Sequence, residues 1–190
     1  ARLVETPSAS ASLAALAAGQ VDAAALTLDE VLLARARGQD LSIVLVVDIS
    51  NGADVLLARA HLQSLSALAG LRVGVETSAV GALMLHHVLR AAGLERSQVE
   101  IVPATADTHE RLWTSGAVDA LISFEPTAAR LEARGARRLF DSRAIPETIF
   151  DVLAIRNDRV RARESGVEAL LRGHFRALTH LRHNPLDAAY

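Results

Sequence analysis

The stretch Gly116-Ala117-Val118-Asp119-Ala120-Leu121-Ile122-Ser123-Phe124-Glu125-Pro126 reads as a helix stop, a short apolar strand and a carboxylate set just before a new helix begins. A closely similar stretch occurs earlier, as Gly19-Gln20-Val21-Asp22-Ala23-Ala24-Ala25-Leu26-Thr27-Leu28-Asp29. Each follows an apolar helical run, at residues 13–18 and 111–115. A repeated helix–strand–polar-tip unit predicts two similar lobes, each turning the end of a strand toward a shared cleft.

Before the first copy, residues 3–4 read as a short strand and Thr6-Pro7-Ser8 as its exit loop. Ser8 or Ser10 caps the Ala-rich helix that follows, and Gly19 ends it. Beyond the first copy, Thr27 caps a helix over residues 28–37, with Asp29 and Glu30 in its first turn and Gly38 closing it. The apolar, β-branched run at 41–47 predicts a strand buried on both faces. Asp48-Ile49-Ser50-Asn51-Gly52 predicts a hairpin or sharp reversal into a strand at 55–58. Strands at 71–75, 99–102 and 138–140 alternate with helices at 79–92, 108–115 and 127–134 around the second copy. That alternation predicts a parallel sheet covered on both faces.

After residue 143 the alternation stops. A strand at 149–155 precedes a long helix at 167–183, striped by Val167, Leu170, Leu171, Phe175, Leu178 and Leu181 and expected to pack on the first lobe. The expected organisation is an α/β chain in three parts: a first lobe at 1–62, a second at 63–142 and a return to the first at 143–190. The crossings are expected near residues 60–64 and 141–143.

Hydrophobic residues make up 51% and charged residues 22%, the balance of a globular chain. A net charge of −2 and only 3% aromatic residues argue against a nucleic-acid partner. Cysteine is absent, which excludes disulfides, thiolate nucleophiles and zinc–thiolate sites. No run approaches the roughly 20 apolar residues of a membrane span. No secretion leader stands at the start, and both ends read as cut, so any signal peptide is expected outside this sequence.

Glu76-Thr77-Ser78 ends a strand and starts a helix, offering backbone N–H groups and two hydroxyls to an anion. The same residues also suffice as an ordinary N-cap. Glu125 suits the positive end of the following helix, or a pocket acceptor for a hydroxyl or amine, since strand carboxyl ends in open α/β sheets face the binding crevice. Asp22 and Asp119 begin their strands at the opposite end and are expected to tie the preceding turns. His86 and His87 face different ways, His180 and His183 share a helix face without a carboxylate on it, and His174 falls on the apolar stripe. None makes a metal set. The turn at Asp48 lacks the spacing of a calcium loop. There is no Gly-x-Ser-x-Gly elbow or P-loop lysine, and Gly70, Gly74 and Gly81 make no dinucleotide fingerprint. No catalytic group and no cofactor are expected.

The motifs Gly19-x-Val21-Asp22-Ala23-Ala24, Thr27-Leu28-Asp29-Glu30, Gly38-x-Asp40-Leu41 and Asp48-x-Ser50-x-Gly52-Ala53-Asp54 occur in a familiar order. Leu68-x-Gly70-x-x-Val73-Gly74-Val75, Gly116-x-Val118-Asp119-Ala120 and Phe124-Glu125-Pro126 continue it, followed by Asp141-Ser142, Ile145-Pro146 and Asp151-Val152-Leu153. In order and spacing the chain resembles the solute-binding proteins of ABC importers for nitrate, sulfonate, taurine and thiamine-precursor pyrimidines. The resemblance implies a hinged, two-lobe periplasmic-binding fold of type II and an extracytoplasmic location. It implies a ligand held between Ser8, Thr27 and Ser50 of the first lobe and Thr77, Ser78 and Glu125 of the second. It also implies hinge closure on the ligand, docking of the closed form on a membrane permease, and no enzymatic activity. The family pattern has one more strand and helix at the start and more helices after Tyr190, so the first lobe is expected to be incomplete.

Two other roles share this fold. A sensor module would sit beside a transmembrane segment and a kinase or cyclase domain. A pyrimidine-forming enzyme of thiamine synthesis would carry a cysteine-rich motif, which this chain lacks. As for the ligand, Thr77 and Ser78 favour an oxyanion, whereas an ionised Glu125 would repel a bare anion such as nitrate. A zwitterion or an uncharged heterocycle with donors satisfies both.

Overall fold

Hydrogen bonding divides the strands of the computed structural model, which describes residues 2–188, between two separate sheets. Residues 2–6 form no strand, and Leu3 and Val4 are exposed. The expected opening strand is missing because no neighbouring edge pairs its backbone groups. Ser8 caps helix α1 (Ala9–Ala17), its Oγ accepting the Ala11 N–H at 3.2 Å. Gly19, at φ 71°, turns the chain toward strand β1 (Ala23–Thr27), from which helix α2 (Leu28–Ala36) starts directly. Strand β2 (Leu41–Ile49) follows.

The next strand, β3 (Asp54–Arg59), lies in the other sheet, so the hairpin expected at Asn51-Gly52 does not form. Gly52, at φ 97°, instead directs the chain across to the second sheet, and the first crossing is residues 50–53, upstream of the expected 60–64. The burial pattern shows why. Val55, Leu56, Leu57 and Ala58 are fully buried, the signature of a central strand. β2 is an edge strand, and Ile43, Val46, Val47 and Ile49 are exposed, contrary to the two-sided burial expected there.

The second sheet continues with β4 (Arg72–Glu76), helix α3 (Ala79–Ala92), β5 (Glu100–Ala104), helix α4 (His109–Thr114), β6 (Ala120–Phe124), helix α5 (Thr127–Glu132) and β7 (Ala136–Asp141). Its order is β5-β4-β6-β3-β7. The parallel pairing expected from the alternation holds for β4 with β5 and β6. It fails at β7, because β3 runs antiparallel between β6 and β7 and separates them. Side chains of β3 alternate between two cores: Leu56 and Ala58 join Val73, Met84 and Val88 under α3, while Val55 and Leu57 join Leu112, Trp113 and Leu131 under α4 and α5. At about 1.5–3 kcal/mol per large apolar side chain fully buried, this strand is a principal support of the lobe.

Strand β8 (Phe150–Arg156) returns to the first sheet, antiparallel between β1 and β2. A smaller core of Leu16, Leu26, Val31, Leu41 and Val152 lies on that sheet. Helices α6 (Asn157–Ala162) and α7 (Glu164–His183) follow. The return to the first lobe is made by β8, and α7 buries none of its residues; Leu170, Phe175, Leu178 and Leu181 of its stripe are exposed. The expected packing of α7 on the first lobe is therefore not found. No helix among the described residues is long and apolar enough to cross a membrane.

Candidate functional site

Strand register brings a ring of polar tips to the junction of the lobes. In the first sheet Thr27 and Asp48 flank Asp151. In the second, Asp54 opposes Phe124 and Glu76 opposes Ala104.

The six residues expected to touch ligand fare differently. Ser8 caps α1. Thr27 stands at the end of β1 as the N-cap of α2, in a capping box with Glu30. Ser50 is buried in the crossing and donates to Asp54 Oδ2 at 2.6 Å. Thr77 is exposed, and Ser78 Oγ accepts the Gly81 N–H at 3.2 Å as the cap of α3. Glu125 is held from both sides: Oε2 accepts the Ala129 N–H at 3.0 Å, and Oε1 pairs with Arg138 Nη2 at 2.8 Å. Asp119, expected to tie the turn before its own strand, instead reaches across to the start of β4, pairing with both Arg72 Nε and Nη2 and accepting its backbone N–H.

Ser50 belongs to a hydrogen-bond chain that links the two crossings. The Gly52 N–H donates to Ser142 Oγ at 2.6 Å, and Ser142 lies 2.8 Å from Ser50 Oγ. Since the Ser50 hydroxyl proton goes to Asp54, Ser142 is the donor between the two serines. Arg138 Nη1 fixes the other side of the turn by donating to Gly52 O at 2.8 Å.

Carboxylates dominate the junction. Glu30 is buried, with Oε2 accepting the Thr27 N–H at 3.3 Å and Oε1 unpartnered. Burial pushes its pKa up to about 7, the Thr27 N–H opposing and Asp29 and Glu76 adding to the rise. Burial also raises Asp54, against the Ser50 hydrogen bond, and raises Glu76, with Asp107 adding a like charge. Asp151 is pushed up to about 6, by desolvation first and then by Asp48 and Asp54. None of Asp29, Glu30, Asp48, Asp54, Glu76, Asp107 and Asp151 has an ion-pair partner among the described residues.

Against this group lies His109, the first residue of α4 and 1% exposed. Its Nδ1 is 3.0 Å from Ser123 Oγ, its Nε2 has no partner, and burial lowers its pKa against the opposing charge of Asp107, favouring the neutral ring. With Asp54, Glu76, Met84 and Ser123 it lines a cavity of about 10 Å³, room for about one group the size of a water molecule or an ammonium. Gly81 shapes the wall, since a Cβ there would overlap the Glu76 carbonyl oxygen. His109 carries no motif that marks it in sequence, and Glu76 stands out only as part of the Glu76-Thr77-Ser78 helix start. Asp48, Asp54 and Asp151 lie in the quoted motifs, but only the fold shows that they converge. No group of three His, Asp or Glu among the described residues is disposed to hold a metal ion.

Solved structures share this architecture. The alkanesulfonate-binding protein SsuA of Xanthomonas axonopodis pv. citri, bound to MOPS, is similar at a TM-score of 0.85 and 22% identity, over 97% of this chain and 64% of that one. The periplasmic aliphatic sulphonate binding protein SsuA of Escherichia coli is similar at 0.80 and 23%, over 97% and 60%. The chain thus spans less than two thirds of the length of either. The desulfurization enzyme DszB, in complex with biphenyl-2-sulfinic acid, is similar at 0.68 and 20% identity, over 94% and 68%. A search of curated protein sequences returns no match. These likenesses establish the type II periplasmic-binding fold. A family model described as the NMT1-like family matches residues 1–189, and the chain belongs to that family.

Proposed function

We propose that this chain receives a small polar solute between its lobes and presents it to the membrane permease of an ABC importer, outside the cytoplasm. The observation that carries this reading is a set of buried polar atoms without partners: Asp29 Oδ2 and Glu30 Oε1 at the start of α2, and His109 Nε2 at the start of α4. Buried polar groups are ordinarily hydrogen-bonded, and these three are open to a partner. Contacts to both lobes exist only when the hinge is closed, so a solute that makes them shifts the population toward closure. Thr27 is the first-lobe contact, and the start of α3 with Thr77 borders the second-lobe side. The family's binding proteins and the SsuA likeness support a transport role over catalysis, as does the absence of cysteine from the sequence.

A thermal-shift panel of taurine, alkanesulfonates, nitrate and aminopyrimidines tests the reading. A true solute stabilises by about 2.7 kcal/mol at one hundred times its dissociation constant, and the shift grows with concentration. Absence of any concentration-dependent shift across the panel and the amines described below would refute solute capture by this chain.

A further inference from the structure

Resting on that reading, we infer that the part of the solute entering the second lobe is an N–H-bearing organic cation, an ammonium or amidinium, received by Asp54, Glu76 and His109. The three line one cavity, with Asp54 contributed by β3, Glu76 by β4 and His109 by α4. Glu76 and His109 are more than nine-tenths buried. Neither Asp54 nor Glu76 has an ion-pair partner among the described residues, and no arginine offsets the charge of either. The arginines near the crossing are engaged elsewhere, Arg138 with Glu125 and Glu132 and Arg143 with Asp141.

A buried carboxylate without a counter-charge is costly, and a cation from outside supplies what the fold omits. His109 points the same way. Its Nδ1 lies 3.0 Å from Ser123 Oγ, and the tautomer in which Nδ1–H donates to that hydroxyl leaves the unpartnered Nε2 as an acceptor. Two carboxylates and an imidazole nitrogen form an acceptor set, suited to a group with several N–H donors. A sulfonate placed there would meet two acidic side chains and no cationic partner, which disfavours it. The ligand preference of this chain thus parts from that printed for the SsuA structures it resembles.

The test compares two series of matched length at pH 7.5 and fixed ionic strength: propylamine, butylamine, 1,4-diaminobutane and acetamidine against propanesulfonate and butanesulfonate. Amines or the amidine should raise the melting temperature in a saturable way and sulfonates should not. Glu76→Gln and Asp54→Asn, which remove a charge rather than create one, should fold and should weaken the amine response at least tenfold by calorimetric titration. A response to sulfonates alone overturns the cationic assignment while leaving solute capture standing. A response to neither series, nor to the neutral and anionic panel above, overturns both. An amine response unchanged in both variants also overturns the assignment, since the amine then binds elsewhere.

Discussion

Ser50 Oγ and Ser142 Oγ stand 2.8 Å apart, one in each of the two segments that join the lobes. A hydrogen bond across both crossings ties the hinge to itself, and through Asp54 it reaches the wall of the cavity.

Ser142→Ala leaves the Gly52 N–H without its acceptor and breaks the link to Ser50. A loss of about 1–2 kcal/mol in urea denaturation is expected. A double-mutant cycle with Ser50→Ala should show coupling above roughly 0.5 kcal/mol, and strict additivity would mean that the bond does not hold the hinge.

Glu30 makes stability depend on pH in a stated direction. Its folded pKa, about 7, lies above its ordinary 4.5, so the native state keeps a proton that the unfolded chain releases between those values. Its contribution is fully present below pH 4.5 and is lost as pH rises to 7. The unliganded protein should therefore melt at a lower temperature at pH 7.5 than at pH 5. Glu30→Gln should remove most of that slope and stabilise the protein at pH 8 by up to about 3 kcal/mol. A slope unchanged in the variant would assign it to other groups.

Gly81→Ala brings a Cβ against the Glu76 carbonyl oxygen, where rigid backbone cannot yield. α3 must move off β4, at a cost of about 3 kcal/mol in chemical denaturation. Wild-type stability in that variant would refute the close approach.

Thr27→Val separates a structural threonine from a ligand-binding one. Because Thr27 is the N-cap of α2 in a capping box with Glu30, loss of its hydroxyl should cost about 0.5–2 kcal/mol of unliganded stability. Affinity for any solute found in the panels should fall severalfold if the hydroxyl also meets the ligand, and stay unchanged if it is a cap alone. A Glu125→Gln exchange should cost about 0.5–1 kcal/mol of stability and leave affinity within twofold.

Local signals were enough to recover most elements. Glycine stops at Gly19, Gly93 and Gly116, all at positive φ, bound the helices where the apolar periodicity ended. Sheet order was less legible, because neither Asn51-Gly52 nor the run at 41–47 says which sheet a strand will join. β3 fits between β6 and β7 only through pairings with residues more than 60 positions away. Thr27 was legible as a strand-end residue, and it does stand at the end of β1 opposite Asp151. Glu125 drew attention for the same reason, but Arg138, thirteen residues on, holds its carboxylate. His109 looked like an ordinary residue at a helix start, and only burial beside Asp54 and Glu76 gives it a role.

The placement of β3 makes the second lobe a guest inserted into the first. Its chain enters at residue 53 and leaves at 141, and the hydrogen bond from Gly52 to Ser142 holds entrance and exit side by side. A piece cut at residue 63 would lack its central strand and expose both of its cores. A piece cut at 53 and 142 keeps all five strands, and its neighbouring ends make it transplantable as a cassette into another host protein.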